Sequence, residues 1–165
     1  MNYLINLAAE LQKELVEQLK QRSLTCAAAE SCTGGLVSAC ITEIPGISQV
    51  FLGGAVTYTN EMKQRLLGVR PETLSRFSAV SKETAAEMAA GIRSRTGADI
   101  AVSVTGNAGP LPSEDKPVGM VFVGVDSPWR STVVALNLHG SREDIRCAAA
   151  TEALVQIVTT AKQKP

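Results

Sequence analysis

Two short, largely apolar runs, Leu24 to Ala29 and Ala98 to Val104, each pass directly into a turn of small residues. The first turn reads Ala29-Glu30-Ser31-Cys32-Thr33-Gly34-Gly35 and the second Thr105-Gly106-Asn107-Ala108-Gly109-Pro110. Runs this short that do not alternate between apolar and polar residues are the mark of strands covered on both faces. Helical patterns surround them. Leu4, Leu7, Ala8, Leu11, Leu15 and Leu19 recur at helical spacing, and Leu36 to Ile41 form a second pattern that Pro45-Gly46 stops. Gly53 to Thr59 reads as a strand, and Pro71 to Phe77 as a short helix opened by proline. Ser81 can cap a helix that runs to about Thr96 and ends at Gly97, and Ser141 with Asp144 opens a last helix to about Thr160. Val118 to Val125 and Ser131 to Leu138 are separated by so short a turn that they must pair antiparallel. Helices at both ends and between buried strands predict a three-layer α/β/α domain with a mixed sheet, whose ligands collect at the two glycine-bearing turns.

Composition narrows the function classes. With 165 residues the chain can bury a full core without disulfides or structural metal. Sixteen basic residues balance sixteen acidic ones, which argues against binding to nucleic acid by bulk charge, and 4% aromatic residues leave few rings for stacking bases. Cys26, Cys32, Cys40 and Cys147 form no CxxC pair and none has metal-ligand spacing to His139, so no metal site is expected. Met1 to Leu19 carries Glu10, Glu14 and Glu17 within its apolar pattern, so it reads as neither a signal sequence nor a membrane span. The expected location is the cytoplasm, with reduced thiols.

Ser31 sits between strand and helix, followed by Thr33 and two glycines whose amides can turn towards a ligand. One reading makes Ser31 a nucleophile with an oxyanion hole of nearby amides, or the turn a phosphate cradle. The other makes Ser31 or Thr33 an ordinary helix cap. The turn is neither a P-loop nor the GxSxG elbow of a hydrolase. His139 precedes Gly140 at a predicted strand end, a poor place for the base of a Ser-His-Asp triad. A serine without histidine needs another base, and Lys63, close behind Thr57-Tyr58-Thr59-Asn60, is the candidate. At an ordinary pKa near 10.4 only about 0.04% of a lysine is neutral at pH 7, so this role requires burial. A solvated helix-surface lysine is the alternative. Tyr58 can donate a proton or orient a substrate, or cover the core edge. Arg142 and Arg146, four residues apart, share a helix face suited to a phosphate or to pairing with Glu143 and solvent. Cys32 is an alternative nucleophile, or inert packing.

Behind the Ser31 turn stand, in order, Val56-Thr57-Tyr58-Thr59-Asn60 with Lys63, Gly68-Val69, Ser103 to Pro110, Lys116-Pro117-Val118-Gly119 and Arg142 to Arg146. Together, over about Leu24 to Leu154, these segments resemble the CinA C-terminal domain family. Its best-characterised activity is nicotinamide mononucleotide (NMN) deamidase, the PncC type. The resemblance implies one domain over 1–165, an α/β sandwich of three layers with a mixed, mostly parallel sheet. It implies hydrolysis of NMN to nicotinic acid mononucleotide and ammonia, a step of pyridine nucleotide salvage, with Ser31 as nucleophile, Lys63 as base and Tyr58 beside them. Thr33, Gly34, Gly35, Thr105, Gly106 and Asn107 would bind substrate, helped by Arg146. No cofactor is implied, the partner is the small-molecule substrate, and the chain is expected to form a homo-oligomer. Because the resemblance covers the C-terminal domain, the metal-dependent pyrophosphatase activity of two-domain members is not expected. Three segments depart from the family pattern: Asn107 replaces an apolar residue common there, Leu111-Pro112-Ser113 replaces a loop like Asp-Gly-Gly, and Ser141 replaces an acidic residue. The Leu111-Pro112-Ser113 loop motivates the alternative function, a catalytically silent relative that binds a pyridine nucleotide. Hydrolysis of another small amide is a third.

Overall fold

The strand of the smallest residues lies inside the sheet, next to its edge strand. The computed structural model describes residues 9–113 and 115–165. In it, β1 (Cys26–Glu30) is buried between β2 (Phe51–Val56) and β3 (Ile100–Gly106) and runs parallel to both. β4 (Met120–Asp126) pairs antiparallel with β3, and β5 (Ser131–Asn137) pairs antiparallel with β4. The sheet order is β2-β1-β3-β4-β5, so β4 alone is reversed and the sheet is mixed and mostly parallel, as expected. The turn between β4 and β5 is closed by Ser127, whose N–H donates to the Arg130 carbonyl at 2.8 Å and whose hydroxyl accepts the Arg130 N–H at 2.9 Å.

Helices cover both faces, giving the three-layer α/β/α arrangement. On one face lie α1 (Ala9–Gln21), α2 (Leu36–Thr42) and α6 (Arg142–Lys162); on the other lie α3 (Asn60–Leu67), α4 (Pro71–Phe77) and α5 (Lys82–Thr96). The alternation of a strand divides β1 between them: Cys26 and Ala28 join the core under α6, while Ala27 and Ala29 join the core under α5. Leu15 and Leu19 of α1 are fully buried. Leu4, Leu7 and Ala8, expected in the same helix, lie outside the described residues. No helix among the described residues is long and apolar enough to cross a membrane.

The helix-end signals act as their chemistry dictates. Ser81 accepts the Thr84 N–H at 3.1 Å, Gly97 ends α5 in the left-handed region, Pro71 opens α4, and Ser141 and Asp144 form a reciprocal capping box at α6. The strand expected over Gly53 to Thr59 is observed at Phe51–Val56. Thr59 leaves the sheet because its hydroxyl caps α3, accepting the Met62 N–H at 3.2 Å.

Two glycines let α5 approach its neighbours. A Cβ on Gly91 would stand 2.0 Å from the Leu67 carbonyl at the end of α3, and one on Gly124 would stand 2.4 Å from the Ala85 carbonyl. The chain leaves β1 for β2 on one side, and β3 lies on the other. A crevice therefore opens beyond the carboxyl ends of β1 and β3, where both small-residue turns emerge.

Candidate functional site

Ser31 is the first residue beyond β1. Its N–H donates to the Val104 carbonyl at 2.9 Å, which ties it to the end of β3, and it is 8% exposed. Lys63 lies one turn into α3, directed inwards by the Thr59 cap. It is 1% exposed, so it is not the solvated surface lysine of the alternative reading. Its Nζ donates to Ser31 Oγ at 3.0 Å and to the Thr57 carbonyl at 2.8 Å. Thr57 is itself held, because its N–H donates to the Glu30 carbonyl at 2.7 Å. Backbone from both strands thus fixes the amine against the hydroxyl.

The turn after Ser31 is organised by Glu30. This carboxylate is fully buried and accepts the N–H groups of Gly35, Val37 and Ser38 at 3.0, 3.0 and 2.8 Å, with the Ser38 hydroxyl at 2.8 Å. It occupies the amino end of α2, where a negative group is favoured. Those amides are therefore taken by the protein's own anion. Gly34 and Gly35, at φ 61° and 98°, shape the turn. Arg146 donates to the Thr33 carbonyl at 2.7 Å and fastens the turn to α6. Thr33, Gly34, Gly35 and Arg146 sit behind Ser31 and are not part of the cavity wall.

The cavity itself, about 390 Å³, opens beside Ser31, Lys63 and Tyr58, with Thr105, Gly106 and Asn107 from the second turn on its opposite wall. Thr105 Oγ1 donates to the Ala79 carbonyl at 2.7 Å and so joins β3 to the segment before α5. Gly106 admits no side chain, since a Cβ would stand 2.7 Å from Val121 and 2.8 Å from the Met120 carbonyl. The Asn107 side chain is buried and turned into its own loop: Nδ2 donates to the carbonyls of Leu111 and Lys116, and Oδ1 accepts the Gly109 N–H. At the mouth Arg142 donates to the Gly109 carbonyl and, at 3.3 Å, to the Tyr58 hydroxyl; Tyr58 is 60% exposed. Tyr58 therefore stands at the rim, and Ser31 and Lys63 in the depth.

Sequence reasoning singled out Ser31 and Lys63 and weighed both arginines, but placed Arg146 rather than Arg142 among the substrate ligands. It did not see that Glu30 fills the amino end of α2. A carboxylate immediately before Ser31, within the turn, was the available signal. Cys32 lines the cavity, yet burial pushes its thiol up to about 11, against the smaller downward pulls of its own N–H and of Lys63, Arg142 and Arg146. It is a poor thiolate. His139 is exposed and away from the cavity. Among the described residues no group of three or more His, Cys, Asp and Glu is placed to hold a metal ion.

The model of the CinA C-terminal domain matches residues 8–161. The chain belongs to the CinA C-terminal domain family. A CinA-like protein of Kosmotoga olearia is 48% identical over 145 residues, covering 87% of this chain and 35% of the relative. The chain spans about a third of the length of the curated relatives it matches. Among solved structures, the competence/damage inducible protein CihA of Agrobacterium tumefaciens is 39% identical with a TM-score of 0.88, covering 93% of this chain and 94% of that one. The competence damage-inducible protein A of Klebsiella pneumoniae is 33% identical with a TM-score of 0.91, covering 94% and 98%. The CinA fold is thus shared along nearly all of the described chain.

Proposed function

We propose that this CinA-family chain is an amidohydrolase that converts NMN to nicotinic acid mononucleotide and ammonia, with Ser31 as nucleophile and Lys63 as base. The observation that carries the reading is the 3.0 Å contact between Lys63 Nζ and Ser31 Oγ, both buried at the depth of an open cavity. Burial is the condition a lysine base requires. In the first step Lys63 takes the Ser31 proton while Oγ bonds to the carboxamide carbon. The C–N bond then breaks, the proton returns to the departing nitrogen, and ammonia leaves a nicotinoyl ester on Ser31. Water adds to that ester, and Ser31 regains its proton as the acid is released. The Cys32 N–H, beside Ser31 on the cavity wall, is the proposed oxyanion donor, since the Ser31, Gly34 and Gly35 amides are taken by the protein itself; removing such a donor in related chemistry costs about 2.7–4 kcal/mol. Tyr58 at the rim orients the substrate.

The rest of the proposal is that residues 1–165 fold as one domain, located in the cytoplasm and active as a homo-oligomer in pyridine nucleotide salvage. The outer edge of β2, with Leu52 and Val56 half-exposed, supports self-association. The test is ammonia release from NMN near neutral pH without added metal, run beside Ser31→Ala. Release that disappears in the variant supports the reading. A folded protein that binds NMN without releasing ammonia is instead the silent pyridine-nucleotide binder, and the exposed Leu111 at the cavity mouth is the feature favouring that outcome.

A further inference from the structure

The amino end of α2, which a glycine-bearing turn offers as an anion site, already holds the Glu30 carboxylate on three N–H groups. Arg146 is turned to the Thr33 carbonyl, behind the cavity. A phosphate on the substrate must find its counter-charge elsewhere. Arg142 stands on the cavity wall, exposed, and none of the ion pairs among the described residues includes it. Its guanidinium donates to two neutral oxygens, the Gly109 carbonyl and the Tyr58 hydroxyl. Of its five N–H donors, these two contacts fix the plane and leave the rest for a ligand.

The anchor at Gly109 is built by one side chain. Asn107 Oδ1 accepts the Gly109 N–H at 2.9 Å, while Nδ2 donates to the Leu111 carbonyl at 3.0 Å and to the Lys116 carbonyl at 3.1 Å. Three bonds from a residue 7% exposed hold the loop at both of its sides, so the Gly109 carbonyl faces Arg142 in one position. An apolar residue at 107 offers none of these bonds.

We propose that Arg142 selects a phosphorylated substrate by pairing with its phosphomonoester, and that Asn107 is the positioning residue that sets the Arg142 guanidinium at the cavity mouth. The identity of the pyridine end of that substrate rests on the amidohydrolase reading; the selection by phosphate does not require turnover. The experiment measures, by calorimetry, the Kd of NMN and of nicotinamide riboside, its unphosphorylated form. The parent is the Ser31→Ala chain, in which the assigned nucleophile is gone. Adding Arg142→Ala is expected to weaken NMN by about 10- to 100-fold, the size of a charge-assisted bidentate contact, and to leave the riboside as it was or bind it more tightly. Arg142→Lys, which keeps the charge but not the fork, falls between. Asn107→Ala is expected to weaken NMN selectively in the same sense. The Asn107→Ala/Arg142→Ala double variant should be weaker than parent by less than the sum of the two singles.

Equal weakening of NMN and riboside by Arg142→Ala overturns the selection. So does a parent that binds the riboside as well as NMN, or that binds neither. Additive effects of the two substitutions overturn the positioning role of Asn107. If Asn107→Ala does not fold, Asn107→Asp, which keeps the acceptor for the Gly109 N–H, is read in its place. Ammonia release from NMN by the native chain with no Arg142-dependent discrimination would leave the amidohydrolase standing and the selection refuted. The discrimination without ammonia release would do the reverse.

Discussion

Lys63 is held by a hydroxyl and a carbonyl in a place where a charged amine is costly to bury, and that cost is the reason to expect chemistry from it. Lys63→Met keeps the length of the side chain and removes the amine. It is expected to melt cooperatively as a folded protein, while ammonia release from NMN falls by about 10²- to 10⁴-fold, the range of a lost general base. Thermal unfolding and rate are read on the same preparation. Cysteine reactivity makes the complementary point. Burial raises Cys26 and Cys40 to about 12 and Cys32 to about 11, whereas Cys147, half-buried, is raised less. At pH 8 a thiol of pKa 11 is only about 0.1% thiolate. Iodoacetamide is therefore expected to label Cys147 first and to leave Cys32 and the activity intact, as peptide mass mapping would show. Fast labelling of Cys32 with loss of activity would move the nucleophile to the sulfur.

At the scale of elements, the site depends on how closely α3 and α5 meet. Gly91→Ala puts a methyl carbon 2.0 Å from the Leu67 carbonyl, so one helix must move. The expected cost is about 1–3 kcal/mol of stability, as in other overpacked cores. Activity should fall further than stability predicts, because α3 carries Lys63; urea unfolding and ammonia release measured together separate the two effects. The α4 and α5 segments are joined by Glu87, which accepts from the Arg70 side chain and N–H and from the Thr73 hydroxyl. Burial raises the Glu87 carboxyl, but these hydrogen bonds together outweigh it and hold the group below its ordinary 4.5. The stabilisation is then present above about pH 4.5 and lost as pH falls through the lower folded value. Glu87→Gln should lower the melting temperature at pH 7 and narrow the gap to the native protein as pH falls below 4.5. A gap that is constant with pH would contradict that role. Several elements were legible because single residues announced their ends: Pro71, Ser81, Gly97 and the Ser141–Asp144 box. The bounds of β2 were not, since Thr59 is as good a strand residue as a cap and only the start of α3 decides between them.

For the whole molecule, the layered α/β architecture and the reversed strand followed from the order of runs and from one short turn, both local properties. The site joins residues far apart in sequence, and its legibility was correspondingly uneven. Ser31 was visible in its own turn. The burial of Lys63 depends on how α3 packs, the choice between Arg142 and Arg146 on where α6 passes the cavity, and the role of Asn107 on carbonyls four and nine residues away. None of these is a property of a local pattern. The assembled chain brings β1, β3, α3 and α6 to one crevice, and the proposed covalent intermediate is where their joint action would be seen. The direct measurement is the mass of the protein quenched during NMN turnover, with the modified peptide mapped. A nicotinoyl ester on Ser31 in the native chain, together with no adduct and no ammonia release in Ser31→Ala, is the predicted result. Undiminished ammonia release by Ser31→Ala, or an adduct mapped to another residue, would contradict it.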